Sequence, residues 1–113
     1  MKYLFFGTPK FSAAVLKKLI DSGMPPSGVV SNPDRPVGRK KLITPPPAKV
    51  LALECGIPVY QPENLLDFEF QILISKLDFA IVAAYAKIIP QEVINAFSKG
   101  IIGVHPSLLP KYR

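Results

Sequence analysis

Short apolar runs recur along the chain with helix-like segments between them, and no other feature narrows the fold as much. Residues 2–6 (KYLFF), 28–32 (GVVSN), 57–61 (IPVYQ), 79–85 (FAIVAAY) and 100–105 (GIIGVH) are too short for buried helices, which marks them as strands. After the first run, Phe11, Val15, Leu16, Leu19 and Ile20 follow at three-and-four spacing up to Gly23, the pattern of an amphipathic helix. Pro9 suits its first turn, and Thr8 is the expected N-cap. Further helices are expected over 48–54, ending at Gly56, between 69 and 77, and from Pro90 through Ala96. Near-continuous apolar strands that alternate with helices need cover on both faces. The expected class is therefore α/β: a Rossmann-like open, mainly parallel sheet with helices on both faces.

One segment breaks the alternation. Residues 33–47 (PDRPVGRKKLITPPP) carry so many prolines and charges that a long loop is expected, and long loops in compact domains tend to serve function. Part of the chain's basic excess sits there, at Arg35, Arg39, Lys40 and Lys41. With 14 Lys and Arg against 8 Asp and Glu, the net charge of +6 points to an anionic partner. No apolar run is long enough to cross a bilayer, and the opening MKYLFFG is shorter than a signal-peptide core. A cytoplasmic protein is expected, with no membrane and no protein partner. Cys55 is the only cysteine, so disulfide and thiolate-metal chemistry are not expected, and its plain reading is a small hydrophobe on a helix face.

In an open parallel sheet, ligands bind beyond the carboxyl ends of the strands, where the winding direction switches. The segments leaving such ends are GTPKF, NPDRPVGRKK, AYAKIIP and HPSLLPKYR. Gly7-Thr8-Pro9-Lys10 lacks the further glycines of a dinucleotide loop and reads as a tight strand-to-helix turn. His105, the only histidine, stands at an expected strand end, where an imidazole with a pKa near neutrality can face a ligand. Pro106 and Pro110 stiffen the segment after it, so that Ser107 to Leu109 can meet a flat ligand at little ordering cost; a rigid surface loop would use the same prolines.

Four collinear segments carry a resemblance across nearly the whole chain: FFGTPKFS, NPDRPVGRKKL, PPPAKVLALECGIPVYQPENL, and VAAYAKIIPQEVINA leading to GVHPSLLPKYR. Together they resemble the folate-dependent formyltransferase family. The resemblance implies a formyltransferase-like fold, here truncated, with residues 1–113 as the amino-terminal part of the catalytic domain. It also implies an enzyme that moves the formyl group of 10-formyltetrahydrofolate to an amine, in this branch the α-amino group of methionine on initiator tRNA, in translation initiation.

Family members place an asparagine, a histidine two positions later and a distant aspartate around the reacting carbonyl. His105 matches the histidine, whereas Gly103 stands at the position of the asparagine. Ser107, Leu108, Leu109 and Pro110 match the stretch that contacts the folate, and Tyr85, Ala86 and Ile88 lie in the segment resembling the pterin wall. Arg39, with Lys40 and Lys41, matches a tRNA-contacting segment, although GRKKL is one residue shorter than the expected GRGKKL. No metal is implied. Nothing follows Arg113, so the aspartate and the carboxy-terminal tRNA-binding domain are expected to be absent, and the chain alone to be inactive. Two alternatives remain: a folate- or tRNA-binding module without catalysis, and part of a sugar or glycinamide ribonucleotide formyltransferase, whose HPSLLPKYR segments look alike.

Overall fold

The computed structural model describes residues 2–37, 42–85 and 89–104. Their elements run β1 (Tyr3–Gly7), α1 (Lys10–Asp21), β2 (Gly28–Val30), β3 (Arg35–Val37), β4 (Leu42–Thr44), α2 (Pro47–Glu54), β5 (Val59–Tyr60), α3 (Phe68–Ile74), β6 (Phe79–Ala83), α4 (Gln91–Ala96) and β7 (Ile101–Val104). Five strands form one sheet in the order β5-β2-β1-β6-β7, and every pairing in it is parallel. The expected α/β architecture is therefore present.

The alternation of side chains along β1 divides the core. Leu4 and Phe6 point to the face covered by α3 and α4, where they pack with Phe70, Ile74, Val93 and Phe97. Tyr3 and Phe5 point to the other face, where Leu16 of α1 and Ala48 and Ala52 of α2 cover them. All five β1 residues are buried. Phe6 meets Phe70, Tyr85 and Phe97 edge-on, at centroid separations of 6.3, 5.3 and 6.4 Å, the geometry aromatic quadrupoles favour.

Three local expectations are corrected. The N-cap of α1 is Pro9, not Thr8, and no side chain caps the helix; the Thr8 hydroxyl instead accepts the Asn32 N–H at 3.2 Å. The 33–47 segment is not loop throughout, because β3 and β4 pair as an antiparallel ribbon with Pro36 opposite Ile43. The β-branched Ile43 and Thr44 favour extension, and a two-stranded ribbon tolerates a proline whose missing N–H can face away from the partner. Leu42 and Ile43 are exposed, which hid this ribbon from any burial pattern. Cys55 follows the last turn of α2 as an exposed C-cap, not as a packed helix-face residue.

Candidate functional site

From β1 the chain winds through α1 to β2 on one side, and from β6 through α4 to β7 on the other, so the switch point lies between β1 and β6. Gly7 and Ala83 are register partners at the carboxyl ends of these two strands. A Cβ on Gly7 would lie 2.5 Å from the Ser12 Cβ, so the glycine lets the first turn of α1 close against the strand end. Ser12 is fully buried there. Its hydroxyl accepts the Thr8 N–H at 3.1 Å and donates to the Ala83 carbonyl, which pins α1 across the switch point. Immediately beyond, Ala84 has φ 58°, and it is the one described non-glycine residue in the left-handed region. Such backbone costs of order 1 kcal/mol or more and tends to gather at working sites.

Two of the expected site residues fall on the α3/α4 side of this crevice. The ring of Tyr85 packs on Phe6 and leaves its hydroxyl buried with no hydrogen-bond partner among the described residues, and burial pushes its pKa up to about 12. Gly103 pairs in register with Val82 near the end of β7, on the same face as Ile101, which joins the α3/α4 core. It is exposed and presents no side-chain amide. Arg39, Lys40, Lys41, Ala86, Ile88, His105, Ser107, Leu108, Leu109 and Pro110 lie outside the described residues.

The α1/α2 side holds a cavity of about 410 Å³ at the carboxyl ends of β1 and β2, lined by Thr8, Lys10, Asn32 and Pro33, with Thr44 and Pro45 to Pro47 as its other wall. Asn32 is only 5% exposed, and its buried Oδ1 has no hydrogen-bond partner among the described residues. Behind it, Lys49 of α2 reaches both carboxylate oxygens of Asp34 at 3.0 and 3.1 Å, and Gln61 donates to Asp34 at 2.7 Å and to the Asn32 carbonyl at 2.9 Å. The Gln61 hydrogen bond, followed by that of Lys49, holds the Asp34 pKa below its ordinary value. This network ties the base of the β3–β4 ribbon to α2 and β5. A slightly larger cavity, about 460 Å³, lies beside β5 and α3 with Asp67 and Glu69 in its wall. It does not adjoin the switch point, and its carboxylates oppose an anionic ligand.

Sequence reasoning missed Ser12, Asn32, Asp34 and Ala84. A small polar residue beside the apolar stripe of α1 was a faint signal for Ser12. Nothing in the sequence announces Asp34, whose partners stand 15 and 27 positions away.

A family model described as formyl transferase matches residues 1–113. Curated proteins named methionyl-tRNA formyltransferase from Lysinibacillus sphaericus and Listeria innocua are 52% and 51% identical over 97% and 99% of the chain. One from Dehalococcoides mccartyi is 45% identical over all of it. The chain spans about 36% of the length of these relatives. A solved glycinamide ribonucleotide transformylase 1 from Geobacillus kaustophilus shares the fold at a TM-score of 0.62 and 23% identity, covering the whole chain and 62% of that protein. Among the described residues, no helix is long and apolar enough to cross a membrane.

Proposed function

We propose, from the premise that the chain belongs to the formyl transferase family, that it is the amino-terminal part of a cytoplasmic enzyme that formylates methionyl-initiator tRNA. The observation that carries this reading is 45–52% identity, over nearly the whole chain, to curated proteins of that name. The folate carrier, 10-formyltetrahydrofolate, supplies the formyl group. The methionyl amine attacks the formyl carbon, the bond to the folate nitrogen breaks, and the amine loses a proton. The negative charge that develops on the formyl oxygen calls for donors already in place.

In this reading His105 stabilises that charge or takes up the amine's proton, and Ser107 to Pro110, with Tyr85, Ala86 and Ile88, hold the folate. Of these, Tyr85 is the one described residue. Its ring at the carboxyl end of β6, just after the left-handed Ala84, suits a wall for a planar heterocycle. Gly103 does not fit the role of an amide donor, because it has no side chain to offer. Arg39, Lys40 and Lys41 meet tRNA phosphates, a contact that would weaken with salt and ignore base identity.

The test places these 113 residues in the Lysinibacillus sphaericus relative in place of the matching segment. The chimera is expected to formylate methionyl-initiator tRNA, and Gly103→Asn in it to raise kcat, since a lost oxyanion donor typically costs about 10²–10³ in rate. A folded chimera inactive with and without Gly103→Asn would refute the reading.

A further inference from the structure

We infer that the groove between the edge strand β5 and helix α3 docks a short extended segment of a partner protein, one that carries a lysine or arginine two positions from an apolar residue. The groove is the cavity of about 460 Å³ beside β5, within the range of about 300–1,000 Å³ usual for ligand sites. It lies away from the switch point, so the inference goes beyond the proposed function and does not rest on it. Three features fit three parts of such a segment.

The first is backbone. β5 ends the sheet, so among the described residues no strand pairs with its outer side. The Pro58 and Tyr60 carbonyls accept the Val29 and Ser31 N–H groups at 2.9 and 3.0 Å. By the alternation of a strand, the N–H and carbonyl of Val59 and the N–H of Gln61 face the other way, and both residues line the groove. An extended segment laid there takes up those groups as an added strand. Pro58 and Pro62, which have no N–H, bracket this edge, so only Val59 to Gln61 can pair. That is shorter than the strand of about five or six residues usual inside a sheet, which favours a short motif over a structural strand and over edge-to-edge pairing of two copies.

The second is charge. Asp67 and Glu69 stand in the groove wall, at the start of α3, and Asp67 makes no side-chain cap bond to the helix. The ion pairs among the described residues lie elsewhere, at Lys17–Asp21 and Lys49–Asp34. Two carboxylates without a cation select a basic segment and repel an acidic one.

The third is spacing. α3 carries the chain from the carboxyl end of β5 to the amino end of β6, and the sheet is parallel, so α3 runs back along β5. Glu69 therefore lies toward the Gln61 end of the groove and Leu73 toward the Val59 end, while Tyr60 and Phe70 add apolar surface. Four residues of helix rise about 6 Å, and alternate residues of a strand stand about 6.4–6.8 Å apart. Side chains two positions apart on the added strand thus reach the carboxylates and Leu73 together.

The experiment titrates this chain with the blocked peptide acetyl-Thr-Lys-Thr-Leu-Thr-amide and follows backbone amides by NMR. Saturable shifts confined to the Val59–Gln61 and Asp67–Leu73 amides are expected in the millimolar range, with slower hydrogen exchange at Val59 and Gln61. Peptides with glutamate for the lysine, or with lysine and leucine adjacent, should bind more weakly. N-methylation at the lysine and at the central threonine removes N–H groups from opposite edges of the peptide, so one form should weaken by about two- to tenfold and the other bind as before. Asp67→Asn with Glu69→Gln, both at exposed positions, should abolish the preference for lysine over glutamate. Absence of saturable shifts, shifts spread outside the groove, equal affinity for the lysine and glutamate peptides, or equal affinity for the two N-methylated forms would each overturn the inference. Self-association through the groove without peptide would assign it to a second copy, and loss of peptide binding in the full-length chimera would assign it to the rest of the longer chain; either result refutes a partner protein.

Discussion

Replacing Ser12 with alanine removes one oxygen atom from a fully buried site and strands two groups. The hydroxyl accepts from the Thr8 N–H at 3.1 Å and donates to the Ala83 carbonyl, 71 positions away across the switch point. The Cβ stays, so packing against Gly7 is unchanged and the loss is one of polar pairing. Leaving a buried donor or acceptor unsatisfied costs about 1–3 kcal/mol, while alanine recovers roughly 0.5 kcal/mol of helix propensity. A net loss of about 0.5–2.5 kcal/mol follows, and with about 4–8 °C per kcal/mol near this size the Tm should fall by roughly 2–20 °C. The control is Ser22→Ala, whose hydroxyl makes an exposed bond to the Lys18 carbonyl at 2.7 Å and should matter by less than about 0.5 kcal/mol. Urea and thermal unfolding measure both variants, and hydrogen exchange reads the Thr8 amide directly. If Ser12→Ala melts with the control and Thr8 exchanges no faster, the hydroxyl does not bridge α1 to β6 and the reasoning fails.

Two further outcomes follow from side chains near the crevice. Because Asp34 has its pKa lowered by Gln61 and Lys49, its ionised form contributes stability above the ordinary value of 3.8, and this is lost as pH falls through the depressed folded value. Asp34→Asn should therefore be less stable than the parent at neutral pH and converge with it in acid; melting curves that stay parallel down to low pH would contradict this. Tyr85→Phe removes a buried hydroxyl that has no partner among the described residues and keeps the edge-on contact with Phe6, so its stability should be unchanged or up to about 1 kcal/mol higher. A clear loss in chemical denaturation would mean that the hydroxyl is hydrogen-bonded after all.

The sheet was legible because parallel strands are buried on both faces, which leaves uninterrupted apolar runs such as the Phe79–Ala83 strand that no solvent-exposed element would keep. The β3–β4 ribbon was not, because it lies over no core: exposed Leu42 and Ile43 carry no period, and Pro36 argued against a strand. Helix starts were misjudged at α1 for a related reason. Thr8 has the composition of a cap, yet its hydroxyl meets the Asn32 N–H, 24 positions on, and only the folded chain brings those groups together. That Gly103 lies near a strand end was legible from the sequence, while the buried Asn32 Oδ1, unpartnered among the described residues, shows only in the folded chain.

The two halves of the crevice meet at one point. Tyr85 and Gly103 lie on the α3/α4 side of the sheet, whereas the cavity with Lys10 and Asn32 lies on the α1/α2 side. Thr8 belongs to the cavity wall and Ala83 leads directly into the left-handed Ala84 before Tyr85, so the Ser12 hydroxyl bridges the two halves beside the Gly7–Ala83 strand pairing. A transfer reaction needs donor and acceptor held to within tenths of an ångström of a reactive approach, and misplacement of about 1 Å can cost 10²-fold in rate. Ser12 is not among the folate-facing residues of the proposed function. Loosening it should still cost the chimera more in kcat than in the affinity for either substrate, because each half keeps its own contacts while their relative placement relaxes.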